Sequence, residues 1–205
     1  ALIIKDGSII GRGSTEEPGG HHAEIIALNE AGSDAEGSTM YVTLEPCCHF
    51  GRTPPCTSAI IEAGVSEVRI AMIDANPIVN GSGRKELEAG GVATILYDAS
   101  QEAIELLESY AKFIILGLPF VVVKYAMTLD GKIASRTGHS RWITGDGARK
   151  YGNAMRSKSD AVMVGVNTII EDNPQLTARN RAGTPYQKQP IRVIADSTGR
   201  VSDAS

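Results

Sequence analysis

His22-Ala23-Glu24 and, further along, Pro46-Cys47-Cys48-His49-Phe50-Gly51-Arg52-Thr53-Pro54-Pro55-Cys56 are the residues of this chain whose types and spacing can do chemistry. One imidazole and two thiolates make a three-ligand tetrahedral Zn2+ site, and its open fourth position admits a reactive water, which a purely structural site does not. Each half lies where a loop runs into an expected helix, and the N–H groups and dipole of a helix start favour thiolate over thiol. The residues alone leave one choice open: Cys56 pairs with either Cys47 or Cys48. Glu24, two positions from His22, need not ligate and is placed to shuttle protons between the water and a leaving group. Taken singly, a His-x-Glu on a helix is usually solvated surface and a cysteine pair is usually buried packing or structural metal; their joint occurrence at two helix starts points to catalysis.

The elements that must position these residues are legible in the apolar patterning. Over the first 116 residues strand-like runs alternate with amphipathic segments, the pattern of an α/β layer fold. ALII and SIIG flank Lys5-Asp6-Gly7, whose Asp-Gly pair supplies the positive φ angles of a tight hairpin. A helix is expected from about His22 to Ala31, ended by Gly32, and a buried strand over residues 40–44. A second helix is expected from Thr57 to Gly64 with a plausible N-cap, then the strand VRIAMI and a further short helix and strand through Leu96. Residues 100–116 have apolar groups at helical spacing and read as a terminal helix packing on the sheet, stopped by Gly117-Leu118-Pro119. A second segment then opens with FVVVKYAM, a β-branched strand-like run, followed by strands at 161–165 and 191–195, with residues 178–189 as a long surface loop. The domains are expected at 1–116 and 119–205.

Composition narrows the function classes. Twenty Lys and Arg against 24 Asp and Glu give a net charge of −4, which argues against a broad nucleic-acid face and leaves room for a local phosphate pocket. No apolar run approaches the roughly 18 residues of a membrane span. The three cysteines, an odd number confined to positions 47–56, suit a reducing compartment, the cytoplasm, better than a disulfide framework. Ala1 opens inside an apolar run with no initiator Met and no basic leader, so nothing reads as targeting and the N-terminus is expected to lie upstream; the second domain is expected to be incomplete.

His-x-Glu followed by a Pro-Cys motif is the pattern of zinc nucleobase deaminases. HAE, TLEPCCHFGRTPPC, AIIEAGV and KYAMTLDGKIA together resemble the family of bifunctional deaminase–reductases of riboflavin biosynthesis, over nearly all 205 residues. The resemblance implies a cytidine-deaminase-like three-layer α/β/α domain followed by a dihydrofolate-reductase-like α/β domain. It implies that His22, Cys47 and Cys56 hold zinc, that Glu24 is the acid/base and that Cys48 is not a ligand. The substrate would be a phosphoribosylaminopyrimidinone whose ring amine is replaced by oxygen. Arg52, His49, Asp74 and Asn76 would face that substrate, although Arg52 alone reads as solvated and Asp74-Ala75-Asn76-Pro77 equally as an Asx turn.

GHSRWIT, AMRSKSDAVMVGVNTIIEDNPQLTAR and PIRVIADS match the reductase domain in order. The resemblance places Ala126, Trp142, Thr168, Asp172 and Ser197 against NADPH, and Lys124, Ser140, Arg156, Leu176 and Arg179 against the sugar substrate, whose ribosyl group becomes ribityl. Family members have an upstream helix with an Asn-Pro motif and a later glycine-rich turn for the cofactor phosphates. The chain begins after the first and stops before the second, so weak NADPH binding and a tendency to associate, a homo-oligomer included, are expected. Another zinc nucleobase or nucleoside deaminase would share His22, Glu24 and two thiolates, but the long Cys47–Cys56 loop and the second domain argue against it. A structural-zinc binding module would need a fourth protein ligand such as Cys48 or His49.

Overall fold

The computed structural model describes residues 1–97 and 101–201. The chain divides into two compact units, Ala1–Val121 and Val122–Ser205. In the first, strands β1 (Leu2–Lys5) and β2 (Ser8–Arg12) form the hairpin, with Asp6 and Gly7 at φ 50° and 75° in its turn. Helix α1 (Ala23–Ala31), strand β3 (Thr39–Val42), helix α2 (Cys56–Glu62), strand β4 (Glu67–Ile70), helix α3 (Ser82–Ala89) and strand β5 (Ala93–Leu96) follow. The sheet runs β2-β1-β3-β4-β5, with β1 antiparallel to both neighbours and β3, β4 and β5 parallel.

Alternation along the strands builds the core. Ile3, Met40, Val42, Val68 and Ile70 point to the face that α1, α2 and α3 cover, where Ala27, Cys56, Ile60 and Leu87 complete the cluster. The loops that leave the C-terminal ends of β3 and β4 carry Cys47 and Asp74, the edge at which open α/β sheets place their ligand contacts.

Small residues set the seat of α1. A side-chain carbon on Gly11 would lie 2.2 Å from the Ala27 carbonyl oxygen, and one on Gly13 would lie 1.9 Å from that of Ala23. The hairpin and helix backbones are therefore in direct contact, and this contact holds the helix end that bears His22. Gly11→Ala is expected to force the two apart and cost about 1–3 kcal/mol by overpacking; a denaturant midpoint unchanged from the parent would contradict it.

Helix α4 (Gln101–Leu116) occupies the expected span, with Ser100 outside the described residues. Its apolar side chains are less covered than the periodicity suggests: Leu106 is 64% and Phe113 59% exposed, and no residue of the helix is buried. Periodicity shows that a helix has an apolar face, not what lies against it.

The second unit holds helix α5 (Asp146–Ser157), strand β6 (Ala161–Gly165), helix α6 (Val166–Asp172) and strand β7 (Ile191–Ala195), with β6 and β7 parallel. FVVVKYAM, expected as a strand, has no strand pairing among the described residues, and Val121, Val122 and Val123 are each about 60% exposed or more. β-branched residues make a run compatible with a strand, but the hydrogen bonds of a neighbour make it one. The 178–189 loop is closed on itself: Arg179 bridges to Pro185, and the Gln189 side chain both accepts from the Ala178 N–H and donates to its carbonyl.

Candidate active site

Three segments bring the chemistry together. His22 is the N-cap of α1. The loop before it is held by the Ala23 N–H donating to Thr15 Oγ1 and the His21 N–H donating to Glu16 Oε2. Cys56 is the first residue of α2, one position earlier than expected; the N-cap is Pro55 and no side chain caps the helix. Thr57, expected to begin that helix, is fully buried and instead donates from its hydroxyl to Glu86 Oε1 of α3 at 2.7 Å. Cys47 follows β3, and its carbonyl accepts the Thr57 N–H, tying the loop to the helix start.

His22 Nδ1 lies 3.5 Å from Cys47 Sγ and 3.3 Å from Cys56 Sγ, and the three donor atoms are all within 4.8 Å of one another. Among the described residues this is the group of His, Cys, Asp and Glu side chains that could hold a metal ion. Of the two cysteines left open as partners of Cys56, the cluster contains Cys47 and not Cys48. The Cys48 thiol is pushed up by burial and by the nearby Glu86 and Glu45 carboxylates. Cys47 is held down to about 5, chiefly by hydrogen bonds from the Cys56 thiol and the Cys56 backbone N–H. The same pairing, with burial, pushes Cys56 up. One imidazole nitrogen and two sulfurs in van der Waals reach, one of the sulfurs accepting a helix-start N–H, are a donor set that fits zinc.

Glu24 is 8% exposed, and burial pushes its carboxyl above the usual carboxylate range. It lines a cleft of about 330 Å3 together with His22, Cys47, His49, Asp74 and Asn76. An adjoining hollow of about 280 Å3 shares His22, Cys47 and His49 and adds Arg52 and the Gly19-Gly20 backbone. His49 Nδ1 is buried with no hydrogen-bond partner, a polar atom turned toward neither water nor protein. Of the residues expected around the deaminase chemistry, all but Cys56, which is buried behind His22 and Cys47, line one hollow or the other. Asp74 and Asn76 are also Asx-turn residues, accepting the Asn76 and Ile78 N–H groups, as the turn reading of that motif expects.

Glu45 and Tyr110 are among the cleft residues that escaped the sequence reading. Glu45, immediately before Pro46-Cys47, is 3% exposed and accepts three backbone N–H groups, from Asp74, Gly81 and Arg84. It ties the cysteine loop to the Asp74 loop and to the start of α3. Its position beside the cysteine motif was the available signal. Tyr110 of α4 lines the cleft 34 residues after Asn76, and nothing in its surroundings marks it in the sequence.

The second unit distributes its expected residues differently. Thr168 and Asp172 are exposed one turn apart on α6, and Ser197 is exposed just beyond β7. Gly165 and Ala195 are register partners, so these groups leave adjacent ends of two parallel strands. Arg156, half-buried on α5, donates to Asn153 Oδ1, and Arg179 donates to Thr177 Oγ1. Leu176 is 6% exposed at φ 52°. Trp142 is exposed with the Arg149 guanidinium 4.5 Å from its ring centre. Lys124 and Ser140 are exposed on segments without strand structure, and Ala126 is half-covered.

Residues 1–72 match the cytidine and deoxycytidylate deaminase zinc-binding region, and residues 119–205 match the RibD C-terminal domain. Fold and site therefore define a zinc-binding, cytidine-deaminase-like domain followed by a domain of the dihydrofolate-reductase-like RibD C-terminal type. Along nearly its whole length the chain is similar to proteins of the RibD family. It is 46% identical over 196 residues to the riboflavin biosynthesis protein RibD of Aquifex aeolicus, covering 96% of this chain and 54% of that protein. The RibD of Actinobacillus pleuropneumoniae is 44% identical over 96% of this chain and 51% of its own length. A solved diaminohydroxyphosphoribosylaminopyrimidine deaminase/5-amino-6-(5-phosphoribosylamino)uracil reductase from Thermotoga maritima has a TM-score of 0.89 at 42% identity, covering 98% of this chain and 57% of that one. The chain spans about half the length of the curated relatives it matches. Among the described residues no helix is long and apolar enough to cross a membrane.

Proposed function

We propose that the first unit is a hydrolytic deaminase of riboflavin biosynthesis. In this reading it replaces the ring amine of 2,5-diamino-6-(5-phosphoribosylamino)pyrimidin-4-one by oxygen and releases ammonia. The observation that carries this reading is the convergence of His22 Nδ1 with the Cys47 and Cys56 sulfurs, beside a cleft that His22, Cys47 and the buried Glu24 line. His22, Cys47 and Cys56 would hold zinc, which when bound supplies Lewis-acid activation of water at neutral pH. Glu24 takes up the proton that the attacking water loses and returns protons to the ring nitrogen and the departing amine. Asp74 and Asn76 orient the pyrimidine, His49 contacts the substrate from the wall that the two hollows share, and Arg52 faces the phosphate from the adjoining hollow.

In the same reading the second unit carries the reductive step, ribosyl to ribityl. NADPH supplies the hydride when bound. Thr168, Asp172 and Ser197, at the ends of the paired strands, fit a cofactor there together with Ala126 and Trp142; Lys124, Ser140, Arg156, Leu176 and Arg179 face the sugar phosphate. The three free thiols accord with a reducing, cytoplasmic setting.

The test is ammonia release from the diaminopyrimidine phosphate, with cytidine and deoxycytidylate as competitors for the assignment. Turnover that is lost on chelation and restored by zinc is expected only with the first. Turnover of cytidine alone would replace this reading with a nucleoside deaminase, and a zinc-loaded chain inert to all three would favour a structural metal.

A further inference from the structure

Asp74 enters the cleft with its backbone already fixed, since its N–H donates to Glu45 Oε2 at 3.1 Å. Its side chain is held on Oδ1 by two donors, the Asn76 N–H and the Tyr110 hydroxyl, each at 2.8 Å. The Asn76 side chain is held in turn, its Oδ1 accepting the Ile78 N–H. Tyr110 and the Asn76 backbone therefore meet on one carboxylate oxygen of the cleft wall. Tyr110 reaches it from α4, a helix with no buried residue. A rotatable carboxylate and a flippable amide would otherwise pay the cost of ordering at the moment a ligand binds.

We infer that Tyr110 is a positioning residue of the deaminase cleft, whose phenol presets Asp74 for the ring of the substrate. The inference rests on the reading of the first unit proposed above. With Oδ1 of Asp74 occupied twice, the carboxylate presents its other oxygen as an acceptor. With its oxygen engaged, Asn76 keeps a fixed amide orientation. Such a wall selects a ring that offers N–H groups at its edge, which an aminopyrimidine does.

Tyr110→Phe removes the hydroxyl and keeps the ring, so the fold is not put at risk. In the zinc-loaded 205-residue chain this substitution is expected to raise KM for the diaminopyrimidine phosphate roughly tenfold, as loss of one hydrogen bond to a charged group does, and to change kcat by less than about threefold. Calorimetric affinity for the deaminated product should fall in parallel, with zinc content and Tm unchanged. Combining it with Asp74→Asn should add little to the KM of Asp74→Asn alone, because the phenol acts through that carboxylate. A purely structural tyrosine would lower Tm and leave KM in place. Ammonia release with a KM unmoved by Tyr110→Phe would overturn the positioning role alone. No ammonia release by the unsubstituted chain would overturn the substrate reading and this role together.

Discussion

Replacing His22 by Ala or Cys56 by Ser is expected to strip the first unit of its metal and to abolish ammonia release. Each contributes one of only three donor atoms that lie within 4.8 Å of one another, and a site reduced to two donors loses both affinity and geometry. The loss of affinity should exceed roughly 100-fold, the upper end of what removing a group that merely supports a ligand costs. Cys56 is also fully buried in the core that joins α2 to the sheet, so Cys56→Ser is expected to lower stability as well, whereas His22→Ala, at the more exposed helix cap, should not. Metal content by atomic absorption, read beside a thermal melt, separates the two effects. Cys48→Ser is the control. Its sulfur lies outside the cluster, and the variant should keep about one zinc per chain. Loss of zinc in Cys48→Ser together with its retention in Cys47→Ser would reverse the ligand assignment.

Glu24→Gln should keep zinc and fold and slow deamination by at least ~100-fold, since a carboxamide of nearly the same shape cannot take up and return a proton. The residue sits in the first turn of α1 and is 8% exposed, so the isosteric change leaves packing intact. Substrate KM should change little, because the contacts assigned to recognition lie on the Asp74 and Arg52 walls of the cleft. Near-parental ammonia release in this variant would remove Glu24 from the proton pathway and leave it a buried structural carboxylate.

Helix starts, the hairpin turn and the metal-binding types could be read from the chain alone because each depends on neighbours in sequence. Asp6-Gly7 needs only its own φ angles, α1 ends where Gly32 follows it, and His-x-Glu and the cysteine run are local signals. The resemblance to the RibD family added what spacing left open, pairing Cys56 with Cys47 and not Cys48, and the convergence of His22 with those two sulfurs agrees with it. Tertiary structure decided the rest, for a common reason: burial and hydrogen-bond partners come from residues far apart in the chain. FVVVKYAM has the composition of a strand without a paired neighbour. Glu45 is a charged residue beside a motif until Asp74, Gly81 and Arg84 surround it with N–H groups. Tyr110 reads as one aromatic on an amphipathic helix, and only the approach of α4 to the loop after β4, 36 residues away in sequence, makes its phenol part of the cleft.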